Sequence, residues 1–541
     1  MISVSGKEWE EIKTNKNLVD KIKQDYNLSE VLSKLVLSRN FDEEEIFSIA
    51  ENLTLKNVFS NNDDFGTSSN LLLEAIDNKD NICILGDYDV DGSVATSLFV
   101  RFFESINHPF FFYIPDREKD GYGASEKLFK KLIIKKPKLI IMVDCGSTSN
   151  DAIDFLNKNN VKSIIIDHHE INHPYPRANS IINPKKDNGY IKYDYLCATT
   201  LVYFFLELFI KKINNKIILK DYLILVLLAT VCDVMPIRKI NRTIAVYALR
   251  EFKIEKNYMI SEIFNLIKKK DKLNIGDLGF LIGPILNAGG RLGKSNYATE
   301  LLSTNNKEII NQRSVKLINL NNKRKEIESL ILKEIDFDNI DKDNNNIIIY
   351  YNANINEGLI GIIAARLKDH FNKPSIVITR SGDLLKGSAR STYNYDIGLA
   401  IKNAKDSNII DIGGGHKMAA GFSMKNSNLK DFKTFIFKDF INKGVKTNHL
   451  FKYDSELSSS AFNKEFFKDI KKIEPFGIGN PMPIFLFKDL KVIKNNILKD
   501  KHISTIFRSK SDISINAISF DSMHNKIGEY LLNYKKNLNV I

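Results

Sequence analysis

Cysteine is scarce in this chain of 541 residues: only Cys83, Cys145, Cys197 and Cys232 occur, and no two form a C-x-x-C pair. That usage excludes a disulfide scaffold and a zinc ribbon, and it predicts a reducing compartment. Long apolar runs are lacking too. The longest, Tyr222 to Cys232, falls well short of the roughly 20 residues that cross a bilayer. The opening MISVSGKEWEEIK has neither an apolar core nor a small-residue cleavage site, so the expectation is a soluble, cytoplasmic protein. No internal repeat is visible. Hydrophobic residues make up 43 % and charged residues 27 %, which excludes wholesale disorder and collagen-like composition. At roughly 100–200 residues per domain, the length implies about three to five domains.

Acidic residues are the minority charge. Lys and Arg total 78 against 66 Asp and Glu, for a net charge of +12. A basic surplus suits a polyanionic partner such as nucleic acid. A competing explanation is available. The chain is rich in Lys, Ile and Asn, the habit of an AT-rich genome, and spare lysines then simply solvate the surface.

Patterning divides the chain into five stretches. Residues 1–60 are polar with helical spacing in SEVLSKLVLS and DEEEIFSIAENL, and predict a small helical cap. Residues 61–306 alternate short apolar runs, ICILG (82–86), FFFYIP (110–115), LIIMV (139–143) and SIIID (163–167), with helical patterns. Such alternation predicts βαβ units, a parallel sheet and helices on both faces. ATTLVYFFLELFI and DYLILVLLATV are apolar nearly all round, so both are expected to be buried helices. Residues 307–345 hold a long charge-laced helix and a polar linker. A second α/β block spans 346–447 and carries the cluster GGGHKMAAGF. Residues 448–541 become strand-dominated and suggest a small β-barrel.

Three strand ends carry acids or histidines: Asp87, Asp89 and Asp91 in GDYDVDG, Asp144 in VDCGS, and Asp167, His168 and His169 in IDHH. A fourth acid, Asp233, ends the second apolar helix. Ligands of an open parallel sheet bind beyond the carboxyl ends of its strands, so these groups can converge. Convergence has an electrostatic consequence. Two carboxylates about 4 Å apart repel by about 4 kcal/mol at an effective dielectric near 20, and such a site takes up protons or cations. Mixed carboxylate and imidazole ligation suits Mn²⁺ better than Mg²⁺. Two such ions can polarise a phosphodiester and lower the pKa of a bridging water. Other readings exist for each signal alone. D-x-D-x-D-G could open a calcium loop, but Leu98 stands where the ligating Glu belongs. A strand-end Asp is often only a helix cap, and a His-His pair is more often surface.

The ordered set D-x-D-x-D-G, D-x-G, D-H-H and a later Asp resembles the DHH phosphoesterase superfamily. SVSGKEW, YIPDREKDGYG, DHHEINHPYPRANSIINP, GPILNAGGRL, EGLIGIIAARL, KGSARS, GGGHKMAAGF and EPFGIGNPMPIF narrow the resemblance to the RecJ-type single-strand-specific 5′→3′ exonucleases, over almost the whole chain. The resemblance implies a parallel-sheet DHH catalytic domain, a long connecting helix, a smaller α/β DHH-associated substrate-binding domain and an OB-fold-like nucleic-acid-binding domain. It implies Asp87, Asp89, Asp144, His168 and Asp233 as ligands of two Mn²⁺ or Mg²⁺ ions, with Asp144 shared between them. Asp91 and Asp167 become ligand-orienting groups, and His169 sits at the scissile phosphate or completes the metal shell. Arg117, Ser388 and Arg390 correspond to a pocket for the 5′ phosphate. Asn287 and Arg291 correspond to backbone contacts, and Gly414 and Gly415 beside His416 allow close approach of a phosphate. Phe462, Phe466, Phe467 and Phe476 could stack bases in the barrel, or simply fill its core.

Two positions depart from the family pattern. Ile285 stands where an Arg is usual, and Asn356 where a His is usual. The expected activity is hydrolysis of single-stranded DNA from the 5′ end, in repair and recombination. A single-strand-binding protein is an expected partner, the chain is expected to act as a monomer, and no membrane is involved. Two rival readings are a phosphodiesterase for short oligoribonucleotides or cyclic dinucleotides, and a catalytically dead scaffold. The SGKEW start and the barrel-like end weigh against the first. Retention of every nameable ligand weighs against the second.

Overall fold

The fold described here is a computed structural model. It describes residues 2–50, 53–116, 120, 123–186, 189–342, 346–444, 450–533 and 537–541. The chain divides into two compact units: Asn57–Asp233 with Phe252–Thr447, and Met1–Lys56 with Val234–Glu251 and Asn448–Ile541.

The first of these units holds two sheets. In chain order its opening sheet contains β1 (Ile82–Leu85), β2 (Phe110–Tyr113), β3 (Leu139–Val143), β4 (Lys162–Ile166) and β5 (Ser180–Ile182). Their spatial order is β2-β1-β3-β4-β5, and every pairing is parallel. A parallel strand covered on both faces cannot alternate polar and apolar residues. β1 and β3 are accordingly buried along their whole length, whereas the edge strand β2 is half-buried throughout. Helix α1 (Val90–Ser105) returns the chain after β1, and α2 (Ala198–Lys212) and α3 (Leu223–Cys232) pack beside it. The last two are the segments that are apolar nearly all round. Phe99 and Phe102 of α1 meet Phe205 and Phe209 of α2 at ring separations of 6.0 and 5.6 Å. The strand order reverses between β1 and β3, and that reversal fixes where a crevice opens.

After α3 a five-residue π-helical segment, Leu278–Ile282, runs directly into α4 (Gly283–Arg291). Helix α5 (Lys307–Glu334) has 28 residues. Its buried stripe, Ile310, Ser314, Leu317, Asn321, Arg324 and Glu328, turns from mostly apolar to wholly polar along its length. The second sheet holds β6 (Ile348–Tyr351), β7 (Ser375–Ser381), β8 (Leu384–Arg390), β9 (Ile412–His416) and β10 (Ala419–Lys425), with α6 (Ile360–Phe371) between β6 and β7. Its order is β9-β10-β8-β7-β6, antiparallel except for β6 with β7.

The other unit contains a five-stranded barrel-like sheet built on the long strand Phe485–Leu498. The expected cap of residues 1–60 and the placement of 234–251 in the 61–306 domain differ from the observed grouping, in which Met1–Lys56 and Val234–Glu251 go with Asn448–Ile541. Glu8–Glu11 pairs in parallel with Leu450–Tyr453. Buried Arg39 donates to Asp454 Oδ1 at 2.9 Å, and Arg238 donates to Glu45 Oε1 at 2.6 Å. Phe466 and Phe476 join the apolar cluster of Leu32, Leu35, Val36 and Ile473, and Phe462 joins that of Leu490 and Phe507. Those three rings are half-buried against the two clusters. Phe467 is 47 % exposed.

Candidate metal centre

The turn after β1 is built by close backbone approach. A Cβ on Gly92 would lie 2.5 Å from Asp87 N and 2.6 Å from Asp87 O, so only glycine lets the start of α1 fold back onto Asp87. Asp89 is the N-cap of α1, its Oδ1 accepting from Gly92 N at 3.0 Å. The capping reading is thus correct for one of its oxygens. Asp91 is buried one residue into the helix, and its carboxylate accepts from Ala198 N at 2.8 Å and Thr199 N at 2.9 Å. These are the first amides of α2, where the helix dipole favours negative charge. Asp91 therefore ties α1 to α2, and its Oδ2 lies 3.8 Å from His168 Nε2.

The turn after β3 places Asp144 in the left-handed region at φ 61°. Asp167, at the end of β4, organises the D-H-H turn. It accepts from Ser147 N (3.1 Å), His168 N (2.8 Å), His169 N (3.2 Å) and His169 Nδ1 (2.8 Å). Burial alone would raise the Asp167 carboxyl, but the bond to His169 and its charge outweigh that and hold it well below the usual carboxylate range. Burial likewise works against His169 ionising, yet the Asp167 carboxylate lifts its pKa to about 9.

Side chains from all four chain positions converge beyond the strand reversal. Ligand atoms lie within 4.8 Å of one another in each of three groups: Asp87, Asp89 and Asp144; Asp144, His168 and His169; and Asp91, His168 and Asp233. His168 Nε2 is 3.4 Å from Asp144 Oδ1 and 3.3 Å from Asp233 Oδ2. Both oxygens of Asp144, both ring nitrogens of His168 and Oδ2 of Asp233 are buried without a hydrogen-bond partner among the described residues. Such atoms each cost about 1–3 kcal/mol when left unsatisfied. Burial, reinforced by the neighbouring carboxylates of Asp91 and Asp89, pushes Asp233 up to about 9. The same two causes raise Asp144 and Asp89. Desolvation lowers His168 to about 4, so its ring is neutral and carries lone-pair density. Hard oxygens and a neutral imidazole, crowded together and unsatisfied, fit divalent cations shared between adjacent positions.

The phosphate-binding candidates lie along a chain of contacts leading away from this cluster. A Cβ on Gly290 would be 2.6 Å from Tyr88 O, which seats α4 against the turn carrying Asp87 and Asp89. Arg291 Nη1 donates to Gly358 O at 3.1 Å, joining the two α/β halves. Asn356 holds that loop by accepting from Gly358 N at 2.8 Å. A Cβ on Gly361 would be 2.9 Å from Arg390 Nη2 and 3.1 Å from Ser388 Oγ. Ser388 and Arg390 share one face of β8, and Arg390 Nη1 donates to Ser388 Oγ at 3.0 Å. Asn287 and Arg291 line one cavity. Ile285 is buried and does not line it. His416 at the end of β9 feels Lys185, Glu170 and His169 electrostatically, which sets it toward the D-H-H turn. Gly415 is required by its own hairpin, since a Cβ there would lie 2.3 Å from Ala419 O, whereas Gly414 faces open space. Arg117 lies outside the described residues.

Four further residues bear on the surroundings of the site. Asn183 Nδ2 donates to Ser147 Oγ and to His169 O, each at 2.9 Å, and so binds two of the site's turns together. Lys185 Nζ donates to Glu170 Oε1 at 2.8 Å at the rim. Phe280 is 89 % exposed on the π-helical segment, an arrangement often found at functional sites. Arg324 is buried on α5. Asn183 lies within DHHEINHPYPRANSIINP and Lys185 directly follows it, while Phe280 and Arg324 lie in no quoted motif.

A parallel sheet with acids and D-H-H at its strand ends, followed by a mixed sheet, defines a DHH-type α/β protein. The DHH family, N-terminal domain, matches residues 81–230. The DHHA1 domain matches residues 344–442 and the RecJ OB domain residues 453–540. The single-stranded-DNA-specific exonuclease RecJ of Haemophilus influenzae is 30 % identical over 508 residues, covering 86 % of each protein. The protein of the same name from Bacillus subtilis is 25 % identical over 504 residues, or 91 % of this chain, which spans 62 % of that relative's length. The chain belongs to the RecJ family. The crystal structure of Thermus thermophilus RecJ in complex with Mn²⁺ has the same fold, with a TM-score of 0.80 at 20 % identity over 95 % of this chain and 74 % of that one. A crystal structure of exonuclease RecJ bound to manganese gives 0.59 at 23 % identity, over 73 % and 97 %. Among the described residues, no helix is long and apolar enough to cross a membrane.

Proposed function

We propose that the protein is a metal-dependent exonuclease that degrades single-stranded DNA from its 5′ end and releases 5′-mononucleotides. One observation carries the chemistry: Asp144, His168 and Asp233 present buried polar atoms with no hydrogen-bond partner among the described residues, within reach of Asp87 and Asp89. These five residues would hold two divalent ions, Mn²⁺ or Mg²⁺, with Asp144 shared. Bound there, such ions would supply Lewis acidity for a phosphodiester, an attacking water and the leaving oxygen. Asp91 and Asp167 orient the ligands through the backbone bonds described above. His169, with Nδ1 engaged by Asp167 and its ring charged near neutral pH, offers its other nitrogen to a phosphate oxygen. Ser388 and Arg390, with Arg117, would hold the terminal phosphate and so set polarity, because a guanidinium fork matches phosphate oxygens. Asn287, Arg291, His416 and the Gly414 backbone would grip the strand.

Substrate choice follows the relatives, which are named single-stranded-DNA-specific exonucleases. The barrel of residues 448–541, which the RecJ OB domain matches over 453–540, would bind the strand. The enzyme would act in repair and recombination, as a cytoplasmic monomer beside a single-strand-binding protein. The deciding experiment compares a 5′-labelled single-stranded 30-mer, its duplex and a dinucleotide in Mn²⁺. Release of labelled mononucleotide from the single strand alone is expected. Exclusive cleavage of the dinucleotide would overturn the reading.

A further inference from the structure

We infer that Arg324 is a strand-phosphate-binding residue: with Arg291 and Asn287 it forms a cationic cavity that holds a phosphate of the bound nucleic acid between the metal-binding acids and the Ser388–Arg390 pair. This inference rests on the nuclease reading above. The cavity has a volume of about 180 Å³, and its lining among the described residues includes Arg291, Arg324 and Asn287 but no carboxylate. It is small beside the roughly 300–1,000 Å³ of sites that enclose a whole ligand, so it takes a phosphate group and adjoining sugar rather than a free nucleotide. Its position follows from two lining residues. Cys232 immediately precedes Asp233, and Ile362 immediately follows Gly361, whose Cβ position is 2.9 Å from Arg390 Nη2.

Arg324 is held ready on one side only. Its Nε donates to Asn321 Oδ1 and its Nη1 to Glu328 Oε2, each at 3.1 Å. Glu328 also accepts from Arg366 Nε at 2.7 Å. One carboxylate thus serves two guanidiniums, while Arg291 stands across the cavity, so the wall keeps net positive charge. A buried arginine ordinarily finds full compensation, because an unpaired interior charge is costly. Here Arg324 Nη2 makes no hydrogen bond among the described residues and is open to the cavity. A phosphate oxygen supplies one, and the fork geometry that Asn321 and Glu328 impose on the guanidinium is pre-set for it. The stripe of α5 that turns polar at Asn321 is explained by the same role.

Salt dependence separates a phosphate contact from a purely structural arginine. Each phosphate neutralised on a single strand contributes about 0.7 to the slope of log K against log salt. With the full chain and a 5′-phosphorylated single-stranded 30-mer, Arg324→Met is expected to lower that slope by about 0.7 and to raise KM roughly tenfold. Arg324→Lys is expected to restore the slope, because the charge remains, but not the KM, because the fork is lost. Should Arg324→Met fail to fold, the Lys variant decides alone: a KM raised severalfold with the wild-type slope supports the inference, and an unchanged KM overturns it. A folded Arg324→Met protein with the wild-type slope also overturns it. If the wild-type chain does not cleave the 30-mer at all, the nuclease reading itself has failed, a distinct result.

Discussion

Replacing Asp144 with Asn removes one negative charge from the most crowded part of the site while keeping a residue that tolerates left-handed backbone. The ligand atoms of Asp87, Asp89 and Asp144 lie within 4.8 Å of one another. At an effective dielectric near 20, each ionised pair at that separation repels by about 3.5 kcal/mol. Proton uptake already relieves part of this, since the Asp144 carboxyl is pushed up by burial and by Asp91 and Asp89. A net gain of roughly 1–3 kcal/mol in metal-free stability is therefore expected. For domains of 150–250 residues that corresponds to several degrees, at about 2–4 °C per kcal/mol. Asp144→Ala forfeits about 1 kcal/mol of it, because alanine at φ 61° suffers the Cβ clash of left-handed backbone. Melting in EDTA should rank Asn above Ala, with Asn above wild type. In saturating Mn²⁺ the wild type should overtake both, since only it keeps the shared ligand. Hydrolysis should fall to background in each variant. An Asn variant that melts below wild type in EDTA, or that still cleaves DNA, would refute the reasoning.

Three further outcomes follow from the geometry. Asp91→Asn should destabilise the fold by about 2–4 kcal/mol in urea titration, because two backbone donors of α2 lose a charged acceptor; a loss under 0.5 kcal/mol would contradict its tying role. Arg390→Ala should lower the preference for 5′-phosphorylated over 5′-hydroxyl ends, and an unaltered ratio of initial rates would remove Arg390 from the terminal-phosphate site. The Asp167–His169 pair has opposite pH limits on its two sides. The lowered carboxyl contributes above its unfolded pKa near 4 and loses that share in acid. The raised imidazole contributes fully below its unfolded value of about 6.5 and loses its share as pH rises through about 9. The stability difference between wild type and Asp167→Asn in EDTA should therefore shrink between pH 6.5 and 9, and a difference that grows there would contradict the pairing.

The first sheet was legible because parallel strands covered on both faces read as unbroken apolar runs. ICIL, LIIMV and KSIII could hardly be anything else once polar and glycine residues punctuated them. The crowd of acids was legible for a related reason: Asp87, Asp144 and His168 follow strand ends, and parallel strand ends share one edge. What stayed hidden depends on distance along the chain. Arg39 and Asp454 meet across 415 residues and Glu45 and Arg238 across 193, and no local pattern in either segment announces the meeting. Phe462, Phe466 and Phe476 have the composition of a base-stacking surface, yet small units need large apolar side chains for their cores, and one side of each ring packs there. Arg324 looks like one charge among many on a charged helix; only its place on the buried stripe distinguishes it.

The convergent acids are most directly tested by titrating Mn²⁺ calorimetrically into the chelator-stripped full chain and into Asp144→Asn. Two ions bound per wild-type chain, with at least one lost in the variant, is the expected result. A wild-type chain that binds none, or a variant that binds both as tightly, would contradict the account.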